Sequence, residues 1–167
     1  MPSEPEQLRI AVGSDDAGRT YKDLLAEALR ADGRVAEVRD VADGFAAGAA
    51  YPLVALAAAE QVADGLADRA LLVCHTGLGM AIAANKVPGI RAVTAHDVVS
   101  VRASVLSNDA QVLALGQGVI GLALARRLVD EWLTHRFAPG TSATAKLAAI
   151  RDYEENRASG AVAGRGC

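Results

Sequence analysis

Aromatic side chains are scarce in this chain of 167 residues, which has one tryptophan, three tyrosines and two phenylalanines. A core built mainly on packed rings is thereby excluded. Cysteine is equally sparse: Cys74 sits in an apolar run and Cys167 is the last residue. The pair makes neither a metal spacing nor a disulfide framework. No apolar run approaches the roughly 20 residues of a membrane helix, since even the stretch from Tyr51 to Ala59 breaks at Glu60. The N-terminal Met-Pro-Ser-Glu-Pro-Glu-Gln lacks the basic stretch and apolar segment of a secretory signal, so a cytoplasmic protein is expected. Blocks of like charge are missing as well. With 17 Lys and Arg against 20 Asp and Glu, the chain carries a net charge of −3 and no visible nucleic-acid footprint.

What is abundant is alanine, with 36 residues in a chain that is 51% hydrophobic and 22% charged. These are globular proportions, and the length suits one domain that buries roughly 70% of its unfolded surface. Small side chains allow close backbone contact, which favours helices packed on a sheet.

Short branched or apolar runs ending near glycine or a polar turn predict strands at 8–13, 35–41, 71–74, 90–94 and 111–115. Helical spacing of Tyr21, Leu24, Leu25, Ala28 and Leu29, stopped by Gly33, predicts a helix after the first strand. Further helices are expected from Tyr51-Pro52 to about Asp64, from the 77–80 turn to about Asn85, over 97–106 and over 119–135. This alternation reads as α/β: a Rossmann-like three-layer sandwich with a five-stranded parallel sheet and helices on both faces. An extra, amphipathic C-terminal helix over 144–157 is expected to pack across the body or on a partner. Residues 1–157 then form a single domain and 158–167 a flexible tail.

In an open parallel sheet, ligands bind beyond the carboxyl ends of the strands. The richest such segment is Cys74 to Met80, where an apolar strand runs into a turn with two glycines and then a helix. Backbone N–H groups of Gly77, Leu78, Gly79 and Met80 would converge there, with the positive end of a helix dipole behind them. A phosphate, a carboxylate or a developing oxyanion suits such a cup, and a cysteine beside it is favoured as thiolate. Neither a P-loop nor a dinucleotide fingerprint is present.

The run from Cys74 to Ala92, CHTGLGMAIAANKVPGIRA, resembles the central segment of the ribose-5-phosphate isomerase B and galactose-6-phosphate isomerase family. Gly13-Ser14-Asp15-x-Ala17-Gly18, Tyr51-Pro52 and Asn108 to Gly116 match at compatible spacing, so the resemblance spans roughly residues 8–150. It implies an aldose–ketose isomerase that works without metal or cofactor through a cis-enediolate. Cys74 would be the base, Thr76 the group that assists transfer between the oxygens, and Gly77 to Met80 the anion hole. Asp15, Asp16, Tyr51, Ser107 and Asn108 would contact a small sugar or hydroxy-carbonyl substrate. The segment carrying Asn108 comes from a second subunit in the family, so a homodimer or tetramer with the site at the interface is implied.

Several positions depart from the family pattern. Asp16 stands for a His, and Ser107 stands for the His that opens a furanose ring; a serine is no base unaided. Gly118, Thr141, Ser142 and a position near Ala145 stand where phosphate-binding cations are usual. Each lost arginine removes charge-assisted hydrogen bonds of roughly 1.5–3 kcal/mol apiece. Arg19, Lys22 and Lys146 could compensate in part but read as solvated helix charges. His75 replaces a common Gly and is a candidate acid/base, whereas His96 and His135 have only structural readings.

The first expectation is therefore an isomerase for an open-chain or unphosphorylated substrate. A tetrulose 4-phosphate or ribose 5-phosphate isomerase with a rearranged phosphate site is the second, and an inactive binding or scaffold subunit the third.

Overall fold

A computed structural model describes residues 7–160. Five strands, β1 (Leu8–Ser14), β2 (Val35–Asp40), β3 (Arg69–Cys74), β4 (Ala92–Thr94) and β5 (Val112–Gly116), form one parallel sheet in the order β2-β1-β3-β5-β4. Six α-helices accompany them: α1 (Arg19–Arg30), α2 (Tyr51–Ala63), α3 (Leu78–Ala84), α4 (Val98–Leu106), α5 (Leu122–Thr134) and α6 (Ser142–Ala158).

Strand order decides which face each helix covers, because β-α-β crossovers are right-handed. Steps to the left, β1 to β2 and β4 to β5, place α1 and α4 on one face with α5. Steps to the right, β2 to β3 and β3 to β4, place α2 and α3 on the other. The buried clusters follow this division. Ile10, Val12, Leu71, Val73, Leu113 and Leu115 pack against α1, α4 and α5. Their strand neighbours Ala11, Ala70, Leu72, Cys74 and Ala114 point to α2 and α3, which answer with Ala55, Ala58, Ala59, Ala81 and Ala84. Period-two alternation thus puts large side chains on one side and small ones on the other. The alanine content serves the second side, where Cys74 lies.

Two polar clamps hold the layers. Arg69, buried at the start of β3, donates to the carbonyls of Trp132 (2.5 Å) and His135 (2.6 Å), and its guanidinium lies 5.3 Å from the Trp132 ring centroid. It thereby satisfies carbonyls at the end of α5 that no helical N–H can reach. Burial pushes its pKa down to about 10, which still leaves it charged at neutral pH. Lys22 corrects the expectation of a solvated helix charge: it is buried, with Asp23 at 2.6 Å and Asp40 as a second partner. Burial alone would lower its pKa, but the hydrogen bonds to Asp23 and Asp40 outweigh that and hold the ammonium above its ordinary value.

Boundaries differ in instructive places. The fourth strand shrinks to Ala92–Thr94, and α5 starts at Leu122 because 116–120 is taken by a turn in which Val119 and Ile120 N–H both donate to the Gly116 carbonyl. The C-terminal helix is longer than expected, and it is not the amphipathic element foreseen: none of its residues is buried, with Ile150 47% and Tyr153 60% exposed. It runs through Ala158, the first residue of the expected tail; positions 161–167, including Cys167, lie outside the described residues.

Arg69→Met keeps the side-chain volume but leaves the buried Trp132 carbonyl without this donor, while the His135 carbonyl still accepts from Arg136, so a loss of roughly 1–3 kcal/mol in unfolding free energy is expected. Denaturant titration checks it; a loss below about 0.5 kcal/mol would show that the clamp contributes little.

Candidate active site

The carboxyl ends of β1, β3 and β5 lie side by side, with Ser14 opposite Val73 and Cys74 opposite Gly116. Cys74 is buried at the tip of β3 on the alanine face. Beyond it the chain reverses through His75, Thr76 and Gly77. Gly77 has φ +80°, a left-handed conformation that an L side chain resists, so the turn depends on glycine there. Its N–H donates to the Cys74 Sγ at 3.1 Å, and its carbonyl accepts from the Thr94 hydroxyl at 3.0 Å. The sulfur therefore sits against a backbone donor at the start of the turn.

Of the four amides expected to converge, the structure commits two locally: Gly77 N–H to the Cys74 sulfur and Leu78 N–H to the Thr76 Oγ1 at 3.3 Å. Helical geometry leaves the Gly79 and Met80 N–H groups without an intrahelical acceptor. The Tyr51 ring lies over Gly79, where an added Cβ would come within 2.5 Å of its Cε2. Tyr51 thus lies against the amide turn.

Backbone contact fixes the rest of the rim. Gly18 lies so close to β3 that a Cβ would sit 2.2 Å from the Val73 carbonyl oxygen, and one on Gly116 would sit 2.7 Å from the Thr76 carbonyl carbon. Asp15 Oδ1 accepts from Gly18 N–H at 3.1 Å, and this hydrogen bond shapes the short 3-10 turn 16–18. Asp16 is exposed and paired with Arg19. Both acids line a cavity of ≈ 270 Å³ with Ser14, Arg19 and the 42–49 loop. Asp16 and Arg19 neutralise one another at its mouth.

Ser107 and Asn108 are not brought to this edge within one chain. Helix α4 runs back along the sheet, so both residues precede β5, whose first residue Val112 pairs with Ala70 while its last pairs with Cys74. About 3.3 Å per strand residue puts them more than a strand's length from the thiol. His75 has its ring against the Gly118 backbone.

Sequence reasoning missed His96. Its Nε2 accepts the Gly116 N–H at 2.9 Å, tying the β4–α4 loop to the tip of β5 where Gly116 meets Thr76. A protonated imidazole could not accept that bond, and burial lowers the His96 pKa, opposed only weakly by Asp97. The His-Asp pair before a helix was visible in sequence, but the acceptor role was not. His135, by contrast, lies 2.6 Å from Glu131 at the other end of the fold.

Comparison with known proteins gives a consistent result. A family model described as Ribose/Galactose Isomerase matches residues 10–150. The D-erythrulose-4-phosphate isomerase 2 of Mycolicibacterium smegmatis is 60% identical over 88% of this chain and 97% of its own length. The D-erythrulose-4-phosphate isomerase of Pectobacterium atrosepticum is 41% identical over 88% and 95% respectively. Among solved structures, ribose-5-phosphate isomerase B of Clostridium thermocellum superposes with a TM-score of 0.82 at 40% identity, covering 89% of this chain and 99% of that one.

Because His96 is held neutral when folded, its contribution to stability is full above its unfolded pKa of about 6.5 and is lost as pH falls toward the lower folded value. Unfolding free energy should therefore decline on acidification below about pH 6.5, and His96→Gln, which can still accept from Gly116, should flatten that slope. Identical pH slopes for both proteins in chemical denaturation would remove His96 from the account.

Proposed function

Because the chain belongs to the ribose/galactose isomerase family of sugar-phosphate isomerases, we propose that it interconverts a four-carbon ketose 4-phosphate and the corresponding aldose phosphate. The observation that carries this reading is the pairing of an intact base turn, Cys74 against the Gly77 amide, with the absence of a ring-opening base at Ser107. A ketose with four carbons and O4 esterified has no free hydroxyl able to close a furanose on C2. Nothing then needs opening, and a serine at 107 is no handicap. The names of two relatives, both tetrulose-phosphate isomerases, support the same choice over the unphosphorylated substrate placed first from sequence.

In the proposed reaction the Cys74 thiolate takes a proton from C1, next to the C2 carbonyl. The C–H electrons form the C1–C2 double bond and the carbonyl π pair moves to O2. The Gly79 and Met80 amides are placed to stabilise the resulting cis-enediolate, as preorganised donors do where water is scarce. Thr76 assists proton transfer from O1 to O2, and the thiol returns its proton to C2, leaving an aldehyde at C1. Asp15, Asp16 and Tyr51 would bound the substrate hydroxyls.

Asn108 can join this site only from another copy of the chain, since its own Cys74 lies at the opposite edge. We therefore assign the functional unit as a homodimer in which Asn108 of the partner subunit completes each site. A free phosphate ester does not cross membranes unaided, which suits a cytoplasmic enzyme. Among the described residues no helix is long and apolar enough to cross a membrane.

Cys74→Ala should lower turnover of a tetrulose 4-phosphate by about 10²–10⁴-fold and abolish deuterium uptake from solvent next to the carbonyl, with the circular dichroism spectrum unchanged. Undiminished exchange in that variant would remove Cys74 as the base. Equal kcat/KM for phosphorylated and unphosphorylated tetruloses in the parent enzyme would overturn the phosphate assignment.

A further inference from the structure

We propose that His75 is the phosphate-anchoring residue of this enzyme and sets its preference for a short substrate. The inference rests on the tetrulose-phosphate reading above and adds the group that recognises its charged end.

The argument begins with volume. A Cβ on Gly118 would lie 2.2 Å from Cε1, 2.5 Å from Nδ1 and 2.7 Å from Nε2 of His75. The imidazole therefore occupies the space where a side chain at 118 would start. In this arrangement the two positions compete for one space: a side chain at 118 would have to turn the exposed imidazole aside. What is placed at this point of the rim is supplied by β3 rather than by the loop after β5.

The ring stands on a rigid base. Gln117 N–H donates to the Cys74 carbonyl and Gly118 N–H to the His75 carbonyl, both at 2.9 Å. Gln117 Oε1 accepts the Tyr21 N–H at 3.0 Å, which pins the same turn to α1. His75 is exposed, and among the described residues its ring makes no hydrogen bond. An imidazole donates an N–H in either protonation state, so it can bind a phosphate oxygen without a partner to prime it.

Within one chain, the three cations singled out from the sequence stand elsewhere or are already paired. Arg19 is paired with Asp16, and Lys22 is buried between Asp23 and Asp40. Lys146 belongs to α6, which lines a cleft with Gly89, Arg91 and Asp109 ahead of β4 and β5, at the opposite end of the sheet from the Cys74 of its own chain. His75 directly follows the proposed base, and its side chain is shorter than a lysine's or an arginine's. A phosphate that it holds lies nearer the tip of β3 than one held by a longer cationic side chain there, which fits a four-carbon chain better than a longer one.

The test compares tetrulose 4-phosphate with unphosphorylated tetrulose in the full-length enzyme. His75→Ala should raise KM for the phosphate ester by on the order of ten- to a hundredfold, leave kcat within about threefold, and leave the unphosphorylated substrate untouched. His75→Gln, which keeps an N–H donor, should recover part of the loss. Gly118→Arg alone should turn the imidazole aside and raise KM for the four-carbon phosphate, and His75→Gly with Gly118→Arg should shift preference toward a five-carbon phosphate. Equal losses on both substrates, or a fall in kcat at constant KM, would overturn the anchoring role. Inorganic phosphate titrated against the His75 imidazole resonances gives a readout independent of the substrate. Shifts that vanish in His75→Ala are expected; their absence in the parent protein overturns the anchor even if tetrulose phosphate is turned over. A protein that binds phosphate through His75 but turns over no tetrulose phosphate would keep the anchor and refute only the substrate.

Discussion

Backbone meets backbone around Cys74, and the geometry of the candidate site depends on that contact. The turn after β1 lies on the Val73 carbonyl through Gly18, and the tip of β5 lies on Thr76 through Gly116. No side chain separates these segments, so any movement of one is transmitted to the thiol. Real Cβ atoms do not approach other atoms to such distances, and even an alanine at either position would have to push main chain aside. The thiol, the amide turn and the Tyr51 roof are thus positioned by a rigid junction of three strands rather than by flexible loops.

Asymmetry between the two sheet faces extends this constraint. Leucine, isoleucine and valine fill the side toward α1, α4 and α5, while alanine predominates toward α2 and α3. Helices that pack through alanine sit close to the sheet, and α3 begins only four residues after β3 ends. A bulkier second face would lift α3 and draw its N–H groups away from the sulfur. Composition, packing and chemistry therefore meet at one place: the small side chains that supply little hydrophobic energy per residue are the ones that let the site close.

Much of this was legible in the sequence, because it resides in local signals. Strand ends, the glycine turn and the choice of Cys74, Thr76 and Tyr51 follow from short patterns and from the resemblance they carry. Spatial order was not legible: nothing local tells that β5 inserts between β3 and β4, and hence that His96 would meet Gly116. Lys22 was misread because its partner Asp40 is distant in sequence and only the β1–α1–β2 unit unites them. The amphipathic reading of α6 failed for a related reason, since apolar residues at roughly helical spacing need a surface to bury them, and none covers them in one chain. Asn108 was read from the resemblance as coming from a second subunit, and within one chain it lies at the opposite end of β5 from the strand tip beside Cys74.

The clamp of Arg69 on Trp132 has a practical side. Arg69 opens the strand that Cys74 closes, so the clamp and the thiol stand at opposite ends of β3. It is the chain's one tryptophan, and it is buried beneath a guanidinium. Its fluorescence is therefore a clean optical gauge of whether the hydrophobic interior is intact. Because it stands at the other end of β3 from the candidate site, emission reports on folding while turnover reports on the site, and both can be followed in one cuvette.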